Sequence, residues 1–393
     1  MIQTIAPANH EYHRSHPYTM KTGFSLSKAR EHMEQRNLDA IVATSHDNVY
    51  YTSHSEIMTI TMLKRLAAVI IPLDGNPVFA VHANEHVTAQ KTTWIKDLRV
   101  YQGGEWEPLK PIAYLAETLT QLGHSKCRIG VETLDIPGAC LDHLRRLLPD
   151  AELIDCQPIL DTLRAVKSPD ELRHLSRINM ATAKAITVAF EMARPGDTEK
   201  KIAQNMINLT LEYGADTVAF MTMGAGPNIH ETHHIPGDYS IKPGDLIHVD
   251  YGCLFDGYLS DISRTAAIAK PDPTQLKAYS FAVEAERATG EALAPGVKVR
   301  EVHDAVKEFY ESRGHPYNRA FIGHGLGIGC HEYPFLGPSH GDWTLEPGMF
   351  FQVEPSVVIE HARVHTEDSF VVTATGSENM SEYRDIGELQ IIR

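Results

Sequence analysis

No two cysteines in this 393-residue chain stand in a CxxC spacing, and the five present (Cys127, Cys140, Cys156, Cys253, Cys330) are odd in number and widely separated. That pattern excludes a disulfide framework or a zinc knuckle and fits small buried residues of a reducing compartment. No run is long and apolar enough to span a bilayer. Met1 to Thr22 is polar, with His10, His13 and His16 where a signal peptide would need an apolar core. The expectation is a cytoplasmic protein with no membrane partner. No basic cluster offsets the formal net charge of −15, so nucleic acid and anionic lipid would both be repelled. Apolar and charged fractions are ordinary, and the length allows two domains with large cores.

What is present alternates between strand and helix. Ser27 to Arg36 reads as a helix, and Ala40 to Thr44, Ala67 to Pro72 and Pro77 to Val81 as strands, the last two joined by an Asp74-Gly75-Asn76 turn. Lys110 to Leu122 and Gly138 to Leu148 are helical, and Arg128 to Glu132 and Glu152 to Cys156 strand-like. This implies an α/β N-terminal domain over residues 1–160, without a glycine-rich phosphate loop. A second domain, residues 161–393, opens near Leu163 to Pro169. There Ser168 as N-cap, Pro169 in the first turn and Glu171 three residues on form a capping box for a helix reaching about Met192.

The second region partly repeats itself at an offset of one hundred residues. Pro195-Gly196 recurs as Pro295-Gly296, each between an Ala-rich helix and another helix, and those second helices end near Gly214 and Gly314. Strand-like Thr217 to Thr222 and Tyr317 to Ile322 follow. Two similar halves about a pseudo-twofold are expected, with a site where their sheets meet. The fold class is therefore α/β in the broad, α+β sense.

The chemistry gathers in that region. Leu246 to Val249 and Ile262 to Ile268 read as two strands of a hairpin joined across Leu254 to Gly257. Asp250 and Asp261 stand near the strand ends, eleven residues apart. Antiparallel pairing can set them side by side, and paired carboxylates need a proton or a cation between them. Gly323, Gly325, Gly327 and Gly329 surround His324 and allow tight turns. Phe350 to Glu354 is a strand ending on a carboxylate, and Val364 to Val372 a strand with Glu367 near its start. Singly, each has an ordinary explanation as a turn cap or a hydrogen-bonded side chain. Together Asp250, Asp261, His324, Glu354 and Glu367 suit a pair of oxygen-preferring divalent ions.

The order of these motifs (Asp, eleven residues, Asp, then GHGxG, HExP, VEP and ED) resembles the pita-bread metallohydrolases, closest to the Xaa-Pro aminopeptidase and prolidase branch beside creatinases and methionine aminopeptidases. The resemblance covers the whole chain and implies a creatinase-like N-terminal domain before a pita-bread catalytic domain. It implies two metal ions, Mn²⁺ or Co²⁺ first and Fe²⁺ or Zn²⁺ next. Asp250 would chelate one, Asp261 and Glu367 bridge both, and His324 and Glu354 complete the second.

By the same resemblance a metal-bridging hydroxide would attack the scissile carbonyl of an Xaa-Pro dipeptide or N-terminal Xaa-Pro bond. Glu354 would shuttle the proton, while His233 and His331 would hold the substrate or its developing oxyanion. Adjacent His234 leaves the register at His233 open. A homodimer is implied too. The family usually has Arg two residues before the last Glu. Here His365 takes that place, with Arg363 two further back, and Ser356 follows VEP where Gly is usual. The departures concern substrate orientation, not the ligands. The alternatives are a pita-bread enzyme acting on a non-peptide small molecule, as a creatinase-like C–N hydrolase or a dimethylsulfoniopropionate lyase would, and a non-catalytic binding module.

Overall fold

The computed structural model describes residues 21–104 and 107–393. The histidines of the polar lead-in, His10, His13 and His16, lie outside them. The N-terminal region runs α1 (Leu26–Gln35), β1 (Ala40–Ala43), α2 (His46–Ser53), α3 (Thr59–Leu63), β2 (Ala68–Pro72), β3 (Val78–His82), α4 (His86–Thr92), β4 (Asp97–Tyr101), α5 (Leu109–Gln121), β5 (Arg128–Val131), α6 (Gly138–Leu147), β6 (Glu152–Asp155) and α7 (Gln157–Ala165). Its strands form one mixed sheet in the order β4-β3-β2-β1-β5-β6.

Because successive side chains alternate faces, each central strand feeds two cores. Ile41, Ala43, Val69, Ile71, Phe79 and Val81 pack with α1, α2 and α7. Ala40, Val42, Ala68, Ile70 and Val78 pack with α5 and α6. Both faces are covered, which is why these strands are continuously apolar.

The long helix α8 (Pro169–Met192) carries the expected cap. Ser168 Oγ accepts from the Glu171 N–H at 3.3 Å, and Glu171 Oε2 accepts from the Ser168 N–H at 2.8 Å. Then come α9 (Glu199–Glu212), β7 (Thr217–Ala225), β8 (Leu246–Phe255), β9 (Tyr258–Leu259), β10 (Ile262–Ile268), α10 (Pro273–Ala292), α11 (Val299–Ser312), β11 (Gly323–Gly325), β12 (Glu332–Phe335), β13 (Phe350–Val353), β14 (Ser356–Ile359), β15 (Ala362–His365), β16 (Asp368–Val372), β17 (Ser377–Asn379) and β18 (Gln390–Ile392). They build one sheet in the order β18-β10-β8-β7, with β9 on β8, and a second in the order β12-β11-β13-β16-β17; β14 and β15 pair apart.

The hundred-residue repeat is physical. Gly196 and Gly296 both take positive φ (96° and 84°), and each donates its N–H across 2.8 Å, to Ile241 and Leu345 respectively. Thr198 bridges Ser240 as Lys298 bridges Thr344. Helices α8 and α9 pack on the first sheet, and α10 packs beside the second with α11 against it.

Four expectations need correction. Tyr317 to Ile322 is not a strand: Ile322 spends its N–H on Leu336 and its carbonyl on Glu354, and the ladder starts only at Gly323. Asp250 lies inside β8, which continues to Phe255, and not at a strand end. The stretch from Val364 to Val372 is two strands, because the chain changes sheets at Thr366-Glu367. Cys127 and Cys330 are only partly buried, unlike Cys140, Cys156 and Cys253; all five are free thiols.

Candidate active site

The pairing of β8 with β10 sets Asp250 opposite Ser263. Asp261 precedes β10 and is pinned through its N–H to Asn179 Oδ1 at 2.9 Å and through its carbonyl to Gln352 Nε2. From the other sheet, Glu367 donates its backbone N–H to the Ser263 carbonyl at 3.1 Å. Asp250, Asp261 and Glu367 thereby each present an oxygen within 4.8 Å of the others.

His324 comes from β11 and Glu354 from the end of β13, its neighbour in the sheet. The imidazole Nδ1 of His324 donates to the Gly325 carbonyl at 3.0 Å, which leaves the Nε2 lone pair free. That atom faces Asp261 Oδ2 and Glu367 Oε1 at 3.8 Å each and Glu354 Oε1 at 4.0 Å.

These residues fit divalent ions. Buried Asp250 Oδ1 and Asp261 Oδ1 have no hydrogen-bond partner, a costly condition unless something positive faces them. Burial, then the charge of Asp250, holds the Asp261 carboxyl well above the usual range; burial, then Asp261, does the same for Glu367. Asp250 is also raised, chiefly by burial. Burial lowers His324 to about 4, so its ring is neutral and able to coordinate. Burial would raise Glu354 as well, but His365 and then Arg319 outweigh it and bring the group down to about 2. Hard oxygen donors with one neutral imidazole are the ligand chemistry of Mn²⁺, Co²⁺, Fe²⁺ or Zn²⁺.

All five line a cavity of about 380 Å³, together with His233, His331 and His365. The two adjacent histidines are placed differently. His233 faces the cavity, whereas His234 is held between Glu231 at 2.8 Å and Glu199 at 3.1 Å. The His331 ring lies 4.0 Å from that of His324, centroid to centroid, and its imidazole also falls within reach of the Asp261 and His324 donor atoms. His365 stands 3.6 Å from Glu354 Oε2 and 3.1 Å from His248.

Some cavity residues were not anticipated. His248 lies two positions before Asp250 on the same face of β8, a spacing that could have flagged it. Arg319 pairs with Glu354 Oε2 at 2.8 Å and reaches Ser356 Oγ; it sits in an irregular segment with no sequence signal. Arg363, named above only as the displaced arginine, lines the cavity too; it donates to the Ile229 carbonyl at 2.6 Å and has no carboxylate partner among the described residues. A larger groove of about 890 Å³ in the N-terminal region, lined by Ile60, Leu63, Tyr101 and Pro111 among others, holds none of the eight anticipated side chains.

Residues 173–374 match metallopeptidase family M24, and residues 26–166 match the creatinase/prolidase N-terminal domain. A Xaa-Pro dipeptidase from Lactobacillus helveticus is 30% identical over 360 residues, covering 90% of this chain and 95% of that protein. Among solved structures, dipeptidase PepE from Mycobacterium ulcerans superposes with a TM-score of 0.82 at 26% identity, over 93% of this chain and 96% of that one. A Xaa-Pro dipeptidase from Bacillus anthracis gives 0.81 at 23% identity, over 93% and 98%. That last likeness concerns the fold.

Proposed function

This chain belongs to metallopeptidase family M24, and from that premise we propose that it hydrolyses Xaa-Pro dipeptides with the help of two divalent ions. The observation that carries the reading is the convergence of Asp261, Glu354 and Glu367 on the lone pair of His324, with Asp250 set beside Asp261 and Glu367. Asp250 would hold one ion, Asp261 and Glu367 would be shared, and His324 and Glu354 would serve the other. Mn²⁺ or Co²⁺ is the proposed identity. Such ions supply a water acidic enough to be deprotonated near neutral pH and polarise the carbonyl to be attacked.

The chain's own side chains do the rest. Glu354, kept ionised by His365 and Arg319, accepts the proton of the attacking water and hands it to the departing nitrogen. His233 and His331, on the cavity wall, donate to the carbonyl oxygen as negative charge grows there. His365 backs Glu354 and borders the substrate. Arg363 offers a guanidinium that lacks an anionic partner among the described residues and is lowered by burial and then by the charge of Arg319. A substrate carboxylate would relieve both arginines, and guanidinium–carboxylate pairs are strong and directional. That favours a short substrate with a free C-terminus, and the cavity of about 380 Å³ has the capacity for one.

The retained set of five hard donors disfavours the creatinase-like and binding-only readings, and the likeness to a Xaa-Pro dipeptidase over nearly the whole chain disfavours the lyase-like one. We place the domain division near residue 160, within α7, supported by the single mixed sheet that precedes this helix and the two sheets that follow it. A cytoplasmic homodimer completes the reading, supported by the five free thiols and by Met58, Met62 and Leu63 exposed around α3. A substrate panel with Mn²⁺ tests the function. Xaa-Pro dipeptides should be cleaved in preference to longer Xaa-Pro peptides, creatine-like amides and sulfonium zwitterions. Preferred turnover of either of the last two would overturn it.

A further inference from the structure

Glu332, beside His331, is almost fully buried yet carries no part of the reaction described above. Its carboxylate accepts from Arg164 through both Nε and Nη2, from Lys167 Nζ at 2.8 Å and from the Gly329 N–H at 3.0 Å. Lys167 Nζ also donates to the Arg164 carbonyl at 2.7 Å. Arg164 in turn reaches α2 of the N-terminal domain, donating to Asn48 Oδ1 at 3.2 Å and to Asp47 Oδ2 at 3.3 Å. A continuous chain of charged and polar contacts thus runs from one domain to the loop that bears His331.

That loop has no slack on the side of the network. A Cβ on Gly327 would meet the Glu332 carboxylate at 2.7 Å, and one on Gly329 would meet Asp47 Oδ2 at 2.8 Å and Arg164 Nη2 at 3.0 Å. Glu332 also pairs through its backbone with Gly325, directly after His324. The other side is open. His331 lines both the active-site cavity and a second cavity of about 190 Å³ at the domain junction, bordered by Asp47, Asn48, Asp161 and Arg164. An imidazole with free space on two sides keeps one position only if its backbone is held, because fixing a side chain that has alternatives costs conformational entropy.

We propose that Glu332 is a positioning residue, through which Asp47 and Asn48 of the N-terminal domain, by way of Arg164, fix His331 against the active-site cavity. The inference rests on the reading of His331 as a substrate-contacting residue. Removing one partner of a buried, hydrogen-bonded ion pair leaves the others uncompensated, so the loop would relax toward the second cavity.

A double-mutant cycle tests it on the full-length, Mn²⁺-loaded enzyme with an Xaa-Pro dipeptide. Glu332→Gln should lower kcat by about 10- to 100-fold, the usual effect of losing a supporting partner around a metal site, with KM and bound Mn²⁺ nearly unchanged. Asn48→Ala should lower kcat in the same direction by less. In a His331→Ala background neither should lower kcat further, because the residue they position is gone. Losses that multiply on top of His331→Ala, or an unchanged kcat in both single variants, would overturn the proposal. If Glu332→Gln does not fold, Asn48→Ala alone decides by the same cycle. Full activity of His331→Ala would instead remove the reading of His331 and this inference with it; loss there without loss in Glu332→Gln and Asn48→Ala would remove the inference alone.

Discussion

Glu367 donates its backbone N–H to the carbonyl of Ser263 across 3.1 Å, and this isolated bridge ties one C-terminal sheet to the other. One sheet brings Asp250 and Asp261, the other His324, Glu354 and Glu367. The bridge turns two half-sites into one and forces like charges together in a buried place, a repulsive arrangement that cations relieve.

Binding of Mn²⁺ to metal-stripped protein should release protons. Burial and mutual repulsion raise Asp250, Asp261 and Glu367 in the absence of a cation, so protons occupy sites that the ions must take. Release on the order of one proton per ion is expected, with affinity increasing as pH rises. Titration calorimetry in two buffers of different ionisation enthalpy reads the number directly. An identical heat in both would show carboxylates already ionised.

Replacing His233 or His331 with Ala should lower kcat by about 10²- to 10³-fold, as loss of an oxyanion donor does, while bound metal stays nearly constant. Elemental analysis of the purified variants separates the two effects. Loss of metal from His331→Ala would make that residue a ligand, a role its reach to Asp261 and His324 permits.

Arg363→Met should raise KM for Xaa-Pro dipeptides by about 10- to 100-fold, the range expected for losing a charge-assisted hydrogen-bonded pair worth 1.5–3 kcal/mol. It should matter little for the corresponding dipeptide amides. Equal effects on acids and amides would show that the guanidinium does not read a carboxylate.

His46 should make stability depend on pH. Burial disfavours its charged form, but the hydrogen bonds to Asp47 at 3.1 Å and Glu56 at 2.6 Å prevail and push it up to about 10. A raised folded-state value means the contribution is complete below the unfolded value of 6.5 and fades as pH climbs through 10. Urea unfolding of wild type against His46→Gln should therefore show a gap that is widest near pH 6 and narrows toward pH 10. A gap independent of pH would rule the ion pairs out as its source.

Much of this molecule is local chemistry and could be read from the chain. The capping box at Ser168, the glycines at 196 and 296, and the alternating strands of the first sheet follow from neighbours a few residues apart. So did the five candidate donors that the fold brings to one cavity, because each stands in a short stretch whose glycines, prolines and apolar runs mark a turn or strand. The failures were equally physical. Tyr317 to Ile322 has strand-like residues, but Ile322 finds its partners in Leu336 and Glu354, outside any ladder. Val364 to Val372 reads as one strand, yet the chain must leave one sheet for another in its middle.

The sequence by itself determined which groups were available: four carboxylates and an imidazole in small, turn-rich settings, and a repeat that demanded two packed halves. Only the tertiary structure decided how they are used. It placed Asp250 within β8, turned His233 and not His234 to the cavity, brought Arg319 onto Glu354, and tied Glu332 to Arg164 and Lys167. Backbone propensity acts over a few residues, whereas desolvation and charge pairing act between groups that meet only after folding, and those contacts carry no signature in the order of the chain.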